Sequence, residues 1–496
     1  MNDQQREGIR DNAKYLRQVR PIDPEEIHQY VDGQPHPAAV RQVLREEATD
    51  LGLLERDDGR FEPVEDGPLD VSFSGVAALP ERLSRRIEGL LVEEFGPGWP
   101  DGESGDRLRL TIREFKRRYL RGEVVTYDRL TALGYAVYHL PAYYAAVQYV
   151  LAALAEDDLL PTRTRVLDVG AGVGGPALGL DAVVPDDALV EYHAVEPSEA
   201  AAVLTDLLVE TGRNFHPTVH RESVEAFDGD GPYDLVLCAN VLSELDAPVN
   251  VLADLTDVLA PDGSIVALAP ADRNTATRLR EIERGVERET TANVYAPTVS
   301  LWPGERPSSD SWSFDRKPAL DEPGFQRQLD EGERGPDPAA PTELPETVAL
   351  PPGAERGHGE SRKPADGEFV NVDVQYAYSV LRTDGTTAVP FRPDPDRTAK
   401  MASMEHHVTE RIDCVGLKLS HNLAEGGNPL FLVGDGSQQR DQFAVLTEPS
   451  ALNRDLETAD YGDLLRFENV LVLWNDDEEA YNLVVEGETV VDLIPA

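Results

Sequence analysis

Apolar residues recur along the chain in three rhythms, and each predicts a different architecture. Over residues 12–65 they fall at helical spacing: Pro24 and His36-Pro37 open helices, and Val40, Val43, Leu44, Ala48 and Leu51 share one face. The turn Asp57-Asp58-Gly59-Arg60 then joins short runs at 53–56 and 61–64, so helices followed by a hairpin predict a winged-helix-like region, a pattern that either reads nucleic acid or packs against protein. On its second helix, Arg41 and Arg45 are expected to be offset by Glu46, Glu47 and Asp50. From 165 to about 270, buried runs at 166–169, 190–195, 235–238 and 264–268 alternate with helical segments, which predicts a mostly parallel, doubly wound α/β sheet. A run at 369–381 is long enough to complete that sheet. Beyond residue 408, five short runs (414–419, 430–433, 443–446, 464–474 and 481–493), with a helix-like piece at 450–459 between the third and fourth, predict an all-β, OB-like barrel.

Composition sets the boundaries between these parts. The expected organisation is a helical, winged-helix-like region at 1–105, an α/β domain at 106–303 completed by 369–385, a Pro/Gly/acid-rich insertion or linker at 304–368, and the β domain at 408–496. Between 331 and 368 there are seven prolines and six glycines in 38 residues, with Leu344, Val348 and Leu350 the only large aliphatic or aromatic side chains. No core forms from such a composition.

Charge changes the picture of the surface. The 496 residues carry 46 Lys+Arg against 92 Asp+Glu, a net charge of −46, while 41% are apolar, so the acid sits on folded surfaces. Lysines number only six, and acid excess with lysine scarcity points to a halophilic protein of a high-salt cytosol, where screening removes most of the self-repulsion. Cys238 and Cys414 are too few for a disulfide framework or a four-cysteine metal site, so neither metal nor disulfide partner is expected. No apolar run reaches the length of a membrane span and the N-terminus is no signal peptide, so the reading is cytoplasmic.

Against that background, residues 107–121 stand out with seven cations and one acid, Glu114. One reading is an amphipathic helix with a solvated basic face and Leu110, Ile112, Phe115 and Leu120 turned inward. The other is a phosphate-contacting stripe in which Arg113, Lys116, Arg117 and Arg121 are the RNA-binding candidates.

The sharpest chemical signal is Val166-Leu167-Asp168-Val169-Gly170-Ala171-Gly172-Val173-Gly174-Gly175, a buried strand running into a glycine loop that opens a helix. Alone it also fits a dinucleotide fingerprint. Asp168 stands two residues before the first glycine, and Glu196 ends the second strand ahead of Pro197, where a carboxylate can accept both hydroxyls of a ribose. The helix, turn and strand at 251–266 resemble those after the fourth strand of S-adenosylmethionine-dependent methyltransferases. The expected cofactor is therefore S-adenosylmethionine, held by Asp168, Gly170, Ala171, Gly172, Gly174, Glu196, Pro197, Ser223 and Asn240 in a Rossmann-like, class I methyltransferase domain.

Residues 107–385 further resemble the methyltransferase-like assembly proteins of the small ribosomal subunit. The likeness rests on the basic segment, His139-Leu140-Pro141-Ala142-Tyr143-Tyr144-Ala145-Ala146-Val147, the loop 167–175, Asn240-Val241-Leu242-Ser243-Glu244-Leu245 and Gln375-Tyr376-Ala377-Tyr378-Ser379-Val380-Leu381. It implies a role in ribosome biogenesis and translation, with the small subunit or its rRNA as partner. Many members of that family carry cysteines linked to an iron–sulfur cluster, but the corresponding stretches, 295–303 and 312–315, have none, so no cluster is expected. The catalytic residue is not identifiable: the position after the fourth strand reads Leu237-Cys238-Ala239-Asn240, without an Asn-Pro-Pro-Tyr motif or a Pro-Cys nucleophile. The leading expectation is an S-adenosylmethionine-binding protein of small-subunit biogenesis, with rRNA methylation as its reaction. Its alternatives are a non-catalytic RNA-binding assembly factor and a small-molecule methyltransferase.

Overall fold

The computed structural model describes residues 1–229, 231–306, 311–334, 367–424 and 426–495. Its N-terminal region comprises α1 (Asp3–Leu16), α2 (Pro24–Ile27), α3 (Pro37–Glu46), α4 (Ala48–Leu51) and the hairpin β1 (Leu53–Glu55)–β2 (Phe61–Pro63). Pro24 and Pro37 stand in first helical turns, where a missing N–H breaks no bond. Ile9, Ile22, Ile27, Val40, Leu44 and Phe61 form a small core of their own. Arg41 and Arg45 converge on a carboxylate from the hairpin, Glu55, which is buried; Glu46, Glu47 and Asp50 pair instead with Arg6 and Arg10 of α1. Burial raises the Glu55 carboxyl, but the hydrogen bonds from Arg45 and Arg41 outweigh it and leave it below its ordinary value. The Glu55 backbone N–H donates to Asn214 at 2.8 Å, fastening this region to the side of the central sheet.

Four helices lead into the sheet: α5 (Glu81–Phe95), α6 (Gly102–Leu120), α7 (Arg129–Tyr138) and α8 (Leu140–Glu156). Then β3 (Arg163–Val169), α9 (Gly175–Val183), β4 (Leu189–Val195), α10 (Ala200–Leu208), β5 (Phe215–His220), β6 (Tyr233–Ala239), α11 (Pro248–Asp257), β7 (Leu259–Pro270), α12 (Arg273–Glu289) and β8 (Asn293–Ala296) follow. Strand order is β5-β4-β3-β6-β7-β10-β8, where β10 is Val374–Arg382. The first five are parallel, and β10 enters antiparallel between β7 and β8. This is the doubly wound sheet the alternation predicts, and its order reverses between β3 and β6, where a crevice opens at the strands' carboxyl ends. Helices α8 and α9 pack closely against each other: a Cβ on Gly179 would lie 2.2 Å from a Val147 methyl and 2.8 Å from the Tyr144 carbonyl oxygen.

Residues expected to be linker are structured where apolar anchors persist. Phe325 and Leu329 of α13 (Gly324–Glu331) are fully buried, and β9 (Asp315–Lys317) pairs with β10. Residues 335–366, most of the Pro/Gly-rich stretch, lie outside the described residues.

The C-terminal part is a closed barrel of β11 (Arg411–Lys418), β12 (Leu430–Gly434), β13 (Gln442–Leu446), β14 (Leu464–Asn475) and β15 (Ala480–Val485), with the short α14 (Asp455–Thr458) before β14. Pairing of β11 with both β12 and β14 closes the ring, β13 and β15 run parallel, and closure removes free edges. The last expected strand, 481–493, is two: a turn at 486–489 separates β15 from β16 (Val490–Ile494), which adds to β14. The barrel seats on residues 297–306 and 311–314. Trp302 Nε1–H donates to Asp435 at 2.6 Å, the Ser313 and Tyr461 hydroxyls are 2.7 Å apart, and a Cβ on Gly436 would come within 2.4 Å of Ser300 Cα. Among the described residues, no helix is long and apolar enough to cross a membrane.

Candidate functional site

The glycine loop sits at the carboxyl end of β3, with Gly170, Gly172 and Gly174 all at positive φ. Gly170 has a second reason to be glycine: an added Cβ would lie 2.4 Å from a Val241 methyl. This loop, the ends of β4 and β6 and the start of α11's leading segment enclose a cavity of about 250 Å³. Of the nine residues expected to hold the cofactor, Gly170, Ala171, Gly172, Glu196, Pro197, Ser223 and Asn240 line it. Asp168 and Gly174 do not.

Glu196 is fixed from two sides. The Gly172 N–H and the Ser198 N–H each donate to one of its carboxylate oxygens at 2.9 Å. A carboxylate oxygen has two lone pairs, so each keeps an acceptor position beyond these bonds. Asp168 lies beneath the loop, fully buried: Oδ2 accepts from the Tyr192 hydroxyl at 2.6 Å and Oδ1 has no hydrogen-bond partner. Burial, opposed by that hydrogen bond and helped by the Glu196 charge, pushes its carboxyl up to about 7. Asn240 follows β6 at φ 60°, a left-handed conformation that asparagine tolerates better than most residues, and it lines both this cavity and a second one.

The second chamber, about 220 Å³, shares Tyr127, Tyr135, Tyr143, Ala239 and Asn240 with the first, and Phe115, Tyr119, His139 and Tyr376 add to its wall. Most of these aromatic residues played no part in the sequence-based site, although Tyr135, His139 and Tyr143 recur at four-residue spacing. His139 and Tyr143 stack with ring centroids 5.3 Å apart. Burial, with the nearby Lys116 charge, lowers His139 to about 3, so it is neutral at physiological pH. Tyr127 O–H donates to Glu244 at 2.8 Å; the enclosing protein raises the Glu244 carboxyl, the tyrosine bond opposes that, and the Glu196 charge adds to it.

The RNA-binding candidates, three on α6 and Arg121 capping its end, are engaged with the protein itself. Arg113 grips Glu368 through two 2.6 Å bonds, Arg117 pairs with Glu114 at 2.7 Å, and Arg121 lies 3.8 Å from Glu123. Lys116 reaches the Tyr138 hydroxyl at 2.8 Å. Hydrogen bonds from Arg117 and Arg118 hold the Glu114 carboxyl down at about 2. Ile112 and Phe115 face inward as expected, but Leu110 is 56% exposed and the Leu120 side chain lies outside the described residues.

An iron–sulfur cluster does not fit this chain. Cys238 is buried in β6 and Cys414 in the barrel, and burial raises both thiols, whereas cluster ligands are thiolates. No group of three or more His, Cys, Asp or Glu suited to a metal occurs among the described residues.

Residues 167–265 match the family model described as "Methyltransferase domain". Residues 6–57 and 402–494 match the N-terminal and C-terminal models of a domain of unknown function, DUF8157. A 117-residue stretch is 33% identical to "Ribosomal RNA small subunit methyltransferase G" of Cupriavidus necator, covering 24% of this chain and 47% of that protein. The chain thus spans about half the length of this curated relative. Among solved structures, the plantazolicin methyltransferase BpumL aligns at 11% identity over 43% of this chain and 79% of its own, with a TM-score of 0.27. The mitomycin 7-O-methyltransferase MmcR aligns at 16% identity over 53% and 75%, with a TM-score of 0.23. The central α/β unit is a methyltransferase domain.

Proposed function

We propose that the chain is an S-adenosylmethionine-dependent methyltransferase, with the cofactor in the glycine-loop cavity and the acceptor in the adjoining aromatic chamber. The observation that carries this reading is Glu196, immobilised by the Gly172 and Ser198 amides with acceptor positions left for a ribose diol. Asp168, with one oxygen unpartnered beneath the loop and its carboxyl at about 7, supplies negative potential under a cationic ligand where it is ionised, above about pH 7. When bound, the cofactor supplies an electrophilic methyl group on sulfonium. The protein's share is to hold the ribose, to line the junction with Tyr135, Tyr143 and Asn240, and to exclude bulk water. Replacing Glu196 with alanine is expected to weaken S-adenosylmethionine binding by roughly ten- to a hundred-fold, the loss of hydrogen bonds to a charged acceptor. Glu196→Gln retains one oxygen for the loop amides and is expected to fall between the two. Calorimetry in molar potassium chloride reads both, and unchanged affinity in both variants overturns the assignment.

The finer reading is that the acceptor is rRNA and the partner the small ribosomal subunit. The resemblance to small-subunit assembly proteins, the rRNA methyltransferase relative and the closed barrel, a fold that often holds oligonucleotides, support it. The internal pairing of the α6 arginines weighs against a ready-made phosphate stripe. If rRNA binds there, Arg117→Glu and Arg121→Glu each reduce the slope of log affinity against log salt by about 1 while leaving cofactor affinity intact. Co-sedimentation with small subunits that ignores both substitutions removes α6 from the interface.

A further inference from the structure

The aromatic chamber combines a ring-rich wall with a one-sided charge. Phe115, Tyr119, Tyr127, Tyr135, Tyr143 and Tyr376 line it, and among its described lining residues there is no lysine or arginine. Most of the charged groups that reach it are acids; the exception is Lys116, held on the Tyr138 hydroxyl behind the wall, whose charge is felt by His139. Glu244 stands beside it in the cofactor cavity, Asp373 lies in its wall and Asp272 sits behind Tyr119. His139, the remaining titratable side chain in the wall, is neutral at physiological pH and adds no repulsion toward a cation.

Two of the rings are tuned by these acids. Tyr127 O–H donates to Glu244 and Tyr119 O–H to Asp272, each at 2.8 Å. A phenol that donates to a carboxylate gains electron density, which strengthens the negative face that attracts a cation. A phosphate brought into the chamber would meet Asp373 and Glu244, with Lys116, set behind the wall on Tyr138, as the opposing charge. A purely apolar group would leave those carboxylates poorly solvated and unpaired. Aromatic faces with carboxylates at the edge suit a positively charged nitrogen, which the rings attract and the acids neutralise.

We propose that the aromatic chamber is a subsite for a cationic nitrogen group, an ammonium or a guanidinium, on the molecule that meets the cofactor cavity. The proposal rests on the methyltransferase reading only in making that molecule the methyl acceptor; the charge preference is a property of the chamber.

The test is ligand-observed NMR on the full chain with choline and its uncharged isostere 3,3-dimethylbutan-1-ol, with and without saturating S-adenosylhomocysteine. Choline is expected to bind about tenfold more tightly than the alcohol in both conditions. Glu244→Gln, nearly isosteric, is expected to weaken choline about fivefold and to leave the alcohol unchanged, a pattern that general misfolding does not produce. An added arm compares choline with Nα-acetyl-lysine-N-methylamide. Tighter binding of the lysine derivative assigns the group to a polypeptide side chain, tighter binding of choline to a free amine, and both support the proposal. Equal binding of choline and the alcohol, a Glu244→Gln effect that is nil or equal on both, or tighter binding of the neutral ring 9-methyladenine overturns it. If S-adenosylhomocysteine fails to bind while the choline preference persists, the cofactor reading falls and this one stands.

Discussion

Asp168→Asn is expected to stabilise the ligand-free protein at pH 8 and to change it little at pH 4. The carboxyl sits at about 7, above its ordinary 3.8, chiefly because burial disfavours the charged form, so the native state holds a proton that the unfolded chain releases. Below the ordinary value both states are protonated and the site contributes nothing. Between about 4 and 7 the native state binds more protons than the unfolded one, so stability falls as pH rises, and above 7 the penalty levels off. The gap from 3.8 to about 7 corresponds to about 4 kcal/mol. Asparagine keeps an acceptor for the Tyr192 hydroxyl and cannot ionise, so the variant escapes the penalty. Urea titrations at pH 4, 6 and 8, reading the central-domain transition, measure this, and a less stable variant at pH 8 contradicts it. A natural sequence that tolerates such a penalty does so where the charge serves binding, so S-adenosylmethionine affinity in the same variant is expected to fall as stability rises.

The second large effect concerns Arg280 and Glu283, one turn apart on α12 and each 1% exposed. Arg280 donates to Glu283 at 2.9 Å, to the Thr298 hydroxyl at 3.1 Å and to the Tyr378 carbonyl of β10, so it joins helix, sheet and the segment on which the barrel sits. Arg280→Met is expected to destabilise by about 2–4 kcal/mol, because the buried Glu283 carboxylate then keeps only Arg284, at 3.1 Å, and the Thr298 hydroxyl as partners. Adding Glu283→Leu should recover part of that loss, since it removes the Glu283 desolvation penalty along with the attraction, while Arg284 keeps Glu287 at 3.5 Å. Thermal unfolding of the single and double variants separates the two terms. A single variant as stable as the parent means that Arg284 alone satisfies Glu283, or that Glu283 reaches water or takes a proton.

The sheet was legible because its central strands are buried on both faces and read as unbroken apolar runs, as at 166–169 and 235–238. Strand β5 was not: Phe215-His216-Pro217-Thr218-Val219-His220 lies at the sheet edge, where a proline is tolerated and most side chains are partly exposed. Trp312, Phe314, Leu320, Phe325 and Leu329 fall just before the proline-rich stretch, and averaging composition from 304 onward hid their anchoring role. In the candidate site, the glycine loop and Glu196 could be found because they are local in sequence. The aromatic chamber could not, because its wall is assembled from α6, α7, α8 and the ends of β7 and β10, brought together only by folding. The cations of α6 misled for the same reason: Arg113 meets Glu368, 255 residues away.

Helix α6 also holds both ends of the segment that joins α13 to β10. Arg109 donates to the Glu333 carbonyl, Asp101 accepts from the Glu333 N–H at 2.8 Å, and Arg113, one turn beyond Arg109, clasps Glu368. The two ends are therefore fixed side by side whatever lies between them. Doubling the length of a loop closed in this way costs only about 0.6 kcal/mol. Closure by α6 thus makes the cost of joining the two ends only weakly dependent on the number of residues between Glu333 and Glu368. Related chains are expected to differ in the number of residues between Glu333 and Glu368 while keeping the two arginines, which makes this interval the natural place for a lineage to acquire a new insertion without disturbing the central sheet.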